Sequence, residues 1–112
     1  MSQKKSQSSS GHKMKVKLRN NEWKLVRLDL GPHVRGEIDP PTYVNKNIKI
    51  STRLKKSSEI LEVVLHECLH GCFWDLDEEA IDKAALDISR ILHKLGARLD
   101  IEKVAIIKSR QQ

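Results

Sequence analysis

Apolar and polar residues change rhythm along this 112-residue chain, and the changes outline its elements. From Met14 the period is two. Lys15-Val16-Lys17-Leu18 alternates as a half-buried strand does, and Trp23 to Leu28 alternates less cleanly. Asn20-Asn21 between them is a turn signal. Gly31-Pro32 and Asp39-Pro40-Pro41 mark loops, with a short strand expected over Arg35 to Ile38. Asn47 to Ser51 alternates again, and its lysines point to a sheet edge. After that the period is helical. Ser57 and Ser58 are candidate caps for a first helix, with Glu59 and Glu62 near its positive end. Ile60, Leu61, Val63, Val64, Leu65, Cys68 and Leu69 make it apolar nearly all round, which predicts burial, and Gly71 is a plausible stop. A second helix is expected to start near Asp77, to carry Ile81, Ala84, Ala85, Ile88, Ile91, Leu92 and Leu95 on its apolar face, and to end at Gly96. Leu99 to Ile107 is apolar enough to pack back, in no definite conformation. Strands followed by helices predict an α+β fold, a small antiparallel sheet packed on two main helices.

Length allows one domain, over residues 14–112, with one modest core built mostly from Leu, Ile and Val. Residues 1–13 are Ser, Gln and Lys with almost nothing apolar, and are expected to form a disordered basic arm. The net charge of +6 arises in the first 20 residues, which hold Lys4, Lys5, Lys13, Lys15, Lys17 and Arg19 and no acid. Beyond them acids and bases balance, so any nucleic-acid contact is expected to be weak and to come through the arm. No run approaches a membrane span, and no apolar leader opens the chain, so a cytoplasmic protein is expected. Cys68 and Cys72 suit neither a disulfide scaffold nor a redox pair and read as small buried hydrophobes.

Chemistry concentrates at His66-Glu67-Cys68-Leu69-His70, an H-E-x-x-H pattern inside the expected buried helix. Histidines four apart share one helix face and can grip a single zinc ion, Zn2+. Glu67, about 100° around the axis, can reach a metal-held water without filling a ligand position and take its proton as general base. The two cysteines lie about 200° away around the same axis, which argues against a mixed Cys/His site. A third ligand is expected from the acid-rich start of the second helix. Glu78 lies on its apolar stripe and is preferred over Glu79, which points toward solvent. Asp82, one turn on, can accept a hydrogen bond from a ligand histidine's other nitrogen. His93 is too far along the second helix to be chosen. The acids also suit a helix start for simple dipole reasons.

From Ile60 to Gly96, through His66, Glu67, His70, the Trp74–Glu79 run and Leu92 to Gly96, the chain resembles small phage and prophage zincins, the minimal gluzincin-like or SprT-like metallopeptidases. Gly36 to Pro40 and Ile48 to Ile50 also look like that family's strands before the active-site helix. The resemblance implies a glutamate as third ligand, mapped on Glu78. It implies a peptide or protein substrate paired with the strand before the helix, here Asn47 to Ser51, and a host-cytosol setting if phage-encoded. The chain departs from larger gluzincins in lacking a clear downstream Tyr or His to stabilise an oxyanion; His33 is a candidate, though a surface loop histidine is the simpler account. The expectation is a zinc metallopeptidase. The alternative is a non-catalytic zinc-binding or nucleic-acid-associated interaction module.

Overall fold

The computed structural model describes residues 13–108, so the expected disordered arm lies, Lys13 apart, outside the described residues. The fold is α+β. Strands β1 (Met14–Leu18), β2 (Asn21–Leu28), β3 (Gly36–Ile38) and β4 (Asn47–Ser51) precede helices α1 (Ser57–Cys72) and α2 (Glu78–Lys94). Among the described residues no helix is long and apolar enough to cross a membrane.

The four strands form one sheet in the order β1-β2-β4-β3. β1 pairs antiparallel with β2, and Arg19 and Asn20, both at positive φ, form the two-residue turn whose twist suits a hairpin. β3 pairs antiparallel with β4. β2 and β4 run parallel, so the sheet is mixed where an all-antiparallel one was expected. The chain leaves β2, forms β3 at the far edge and returns to fill the gap between them.

That return overturns the edge assignment for Asn47–Ser51. β4 is interior and buried over Ile48 to Ser51. Lys49, the residue that suggested solvent, is itself buried, its Nζ 2.9 Å from Asp39 Oδ1. Asp39 also accepts from the Asn47 amide at 2.8 Å, and its carbonyl accepts from Trp23 Nε1 at 3.0 Å. One acid thus ties the β3–β4 connection to the interior strand and to the core tryptophan.

Helix α1 lies on the sheet, and α2 packs on α1 without reaching the strands. An apolar surface almost all round α1 is what a middle layer requires. Trp23, Leu25, Ile48, Ile50 and Val63 form the core with Val104 from the C-terminal segment. That segment turns through a short 3-10 helix at Ile101–Lys103, then bridges β2: the Arg27 amide donates to the Ala105 carbonyl, and the Ile107 amide to the Arg27 carbonyl. The Arg27 guanidinium donates twice to the Val104 carbonyl, at 3.0 and 2.8 Å.

Several boundaries follow local chemistry. Asp77 caps α2, its Oδ1 accepting from the Ala80 amide at 2.8 Å. Gly96, at φ +93°, closes it with the paired bonds Gly96 N–H to His93 O and Ala97 N–H to Leu92 O. Lys56 rather than Ser57 or Ser58 precedes α1, with no side-chain cap. Gly71 is not a stop but lies within α1, where an added Cβ would meet Leu18 Cδ1 at 2.6 Å. On α2 only Ile81, Ala85 and Ser89 are buried, whereas Ile91 and Leu95 are 58% and 78% exposed. The buried line is therefore one side of the expected apolar stripe, because α2 meets a single narrow helix and not a sheet.

Removing one partner of a buried ion pair strands the other charge, at a cost of roughly 3–5 kcal/mol. Asp39→Ala should lose about that much stability in urea unfolding, and adding Lys49→Met should restore more than half of it. A loss below about 1 kcal/mol, the value of an exposed pair, would contradict this account of the β3–β4 link.

Candidate metal centre

His66, Glu67 and His70 lie toward the C-terminal end of α1, between β3 and the start of α2. His66 and His70, one turn apart, point to the same spot, with ring centroids 4.8 Å apart and planes at 65°. Their Nε2 atoms approach to 3.1 Å. Glu78, the first residue of α2, closes the group with Oε2 at 2.9 Å from His66 Nε2 and Oε1 at 2.9 Å from His70 Nε2. The three side chains can hold a metal ion, with ligand atoms all within 4.8 Å of one another. The Asp77 cap fixes where α2 begins and so where Glu78 projects.

The remaining expected residues fall into distinct places. Asp82 Oδ1 lies 3.1 Å from His66 Nδ1, where a carboxylate holds the ring and leaves Nε2 as the ligand atom. Glu79 turns away to Lys83, 3.6 Å off on the exposed side of α2. His93 sits near the other end of α2 beside Arg98. Cys68 and Cys72 stand outside the group, and burial, with smaller contributions from Cys72 and Glu67, pushes the Cys68 thiol up to about 11. His33 is exposed but lines a cavity of about 250 Å³ together with His66, Glu67, Glu78 and Asp82.

Glu67 is buried and faces the sheet. A Cβ on Gly36 would lie 2.9 Å from Glu67 Oε2 and 2.8 Å from Val63 Cγ1, so only glycine lets β3 come this close to the helix. Burial, then the charges of Glu78 and Glu37, push its carboxyl up to about 7, against the opposing pull of Arg35. Arg35 itself is held by Glu59 at 3.4 Å and Glu62 at 3.9 Å.

These groups open into a cleft of about 580 Å³. Strand β3 with Asp39 lines it, as do Trp74 and Leu76 from the turn between the helices. Sequence patterning missed β3 as the wall. In the β3–β4 ladder the Ser51 amide donates to Arg35 O and the Asp39 amide to Asn47 O. Alternation then turns the backbone groups of Gly36 and Ile38 outward along the free edge, toward the cleft. No family model, curated protein or solved structure matches this chain.

Loss of a carboxylate that orients a ligand histidine typically weakens metal binding about 10–100-fold. If the group holds a divalent ion, Asp82→Ala should weaken its binding by that factor in competition with a chromophoric chelator, and Glu78→Ala by more. Glu79→Ala should leave the affinity unchanged; an equal loss for Glu79→Ala and Glu78→Ala would remove Glu78 from the ligand set.

Proposed function

We propose that the protein is a zinc-dependent peptide hydrolase in which His66, His70 and Glu78 hold the metal and Glu67 is the general base. The observation that carries this reading is that Glu67 shares the cleft with the three ligand residues yet stands outside their group. A purely structural site has no use for a fourth, buried carboxylate beside it.

The donor set suits zinc, which takes imidazole and carboxylate ligands. Ligand atoms around a tetrahedral zinc lie about 3.3 Å apart; here one ligand atom from each residue lies within 4.8 Å of the others, and the closest contacts, through both Glu78 oxygens, are 2.9–3.1 Å. When bound, zinc supplies a Lewis acid and makes a water it holds more acidic. Glu67 is fixed by its burial against Gly36 and takes the proton of the attacking water, then returns it to the leaving amine. His66 is kept in the ligating tautomer by Asp82.

The substrate edge in this reading is β3, not Asn47–Ser51, because β4 has neighbours on both sides. An extended peptide adds to the sheet through the outward backbone groups of Gly36 and Ile38, the mode known as β-augmentation. Trp74 and Leu76, each nearly half exposed in the cleft, offer an apolar contact for a substrate side chain.

Peptide hydrolysis should disappear with a chelator and return with zinc. Glu67→Gln should lower kcat by about 10²–10⁴-fold while zinc stays bound at full stoichiometry. Undiminished turnover in Glu67→Gln would eliminate this mechanism, and stoichiometric zinc with no hydrolysis of any peptide by the intact protein would leave a metal-binding module.

A further inference from the structure

Part of the chain's excess positive charge lies along the sheet edge away from the cleft. Lys13, Lys15 and Lys17 alternate with Met14, Val16 and Leu18 along β1. Alternation puts the three lysines on one face, about 6.7 Å apart in succession, while Val16 and Leu18 pack toward the core. On β2, Lys24 stands directly opposite Lys15 in the ladder. Like charges directly opposed across two strands destabilise a sheet. Among the described residues, none of these lysines, nor Lys46, has a carboxylate at ion-pair distance. Glu22 faces Lys17 across the hairpin and offsets only that end of the row.

The face is also concave. A groove of about 540 Å³ is lined by Lys13, Lys24 and Lys46 together with Glu22, Asn20, Asn45 and Asn47; Lys15 and Lys17 lie beside it on β1, outside its lining. Lys46 is steadied there by the Tyr43 carbonyl at 3.4 Å and by the Trp23 ring, 5.4 Å from its Nζ. Val44 lines the same groove, and Tyr43 beside it in sequence is 54% exposed, an aromatic face for a base to stack on.

We propose that this groove, together with Lys15 beside it on the β1–β2 hairpin, binds the phosphate backbone of a single nucleic-acid strand. A row of unpaired ammonium groups at regular spacing matches a polymer that carries one charge per repeat. Asparagine amides both donate and accept, which suits sugars and base edges. β1 and β3 are opposite edges of the sheet, so a strand bound here leaves the metal cleft open. The inference does not depend on the metal centre being catalytic.

The test uses the full chain and a fluorescein-labelled single-stranded oligonucleotide, read by anisotropy between about 50 and 200 mM salt. Affinity should fall steeply with salt. Lys15→Gln/Lys24→Gln should weaken binding about tenfold or more and reduce the slope of log K against log salt by about 1.4, at about 0.7 for each phosphate no longer neutralised. The same double variant should melt at a higher temperature than the parent in low salt, since it relieves the opposed pair; a structural role for these lysines would lower it. Lys55→Gln/Lys83→Gln should change nothing. If Lys4→Gln/Lys5→Gln abolishes binding and Lys15→Gln/Lys24→Gln does not, the N-terminal arm is the site and the proposal fails. Phosphatidylserine vesicles bound where the oligonucleotide is not would also overturn it.

Discussion

Helix α1 is gripped from two sides, by the sheet and by α2, and that constraint orders the rest of the molecule. A helix in the middle layer can carry polar side chains only where a neighbour leaves them space or supplies them a partner. His66, Glu67 and His70 occupy the one stretch of α1 that reaches the gap between β3 and the start of α2. Spacing by four brings the imidazoles to one point, and spacing by one sends Glu67 toward the sheet. The histidines thus meet a ligand from α2, while the glutamate meets a glycine on β3.

Each neighbour is itself held in place by a polar device. The start of α2 is set by the Asp77 cap, which delivers Glu78 and, one turn later, Asp82 to the two nitrogens of His66. The edge strand β3 is short and would be poorly anchored by three residues of ladder alone. Asp39 at its end supplies the anchor, binding the Asn47 amide and the buried Lys49. The wall of the cleft is therefore fixed by an ion pair on the far side of the strand from the metal group.

What the sequence revealed divides along the same line. Features set within a few residues were legible: the H-E-x-x-H spacing, a second helix starting near Asp77 and stopping at Gly96, and Glu78 on the stripe that faces α1 with Asp82 one turn on. Features set by distant partners were not. Lys49 reads as a solvent-facing residue because nothing near it in sequence shows that Asp39 will neutralise it, and so an interior strand looked like an edge. Gly71 reads as a helix stop because the Leu18 and Ile38 side chains that crowd it come from other elements. The parallel pairing of β2 with β4 leaves no local trace, since alternation is the same in either direction. Correcting the edge moves the free strand from β4 to β3 and changes which backbone faces the cleft.

The geometry of the triad itself calls for a hydrogen or a metal ion. Two imidazole nitrogens 3.1 Å apart, each 2.9 Å from a carboxylate oxygen, cannot all present lone pairs to one another. A hydrogen on one ring nitrogen, or a metal ion, would relieve these contacts. The carboxylate of Asp82 already engages Nδ1 of His66, which leaves Nε2 of that ring as the acceptor. A proton satisfies one nitrogen–oxygen contact at a time, whereas a divalent ion satisfies all three ligands together. Protons and a metal ion would therefore compete for the same three residues: with protons the cluster is held by hydrogen bonds, and with a metal ion by coordination.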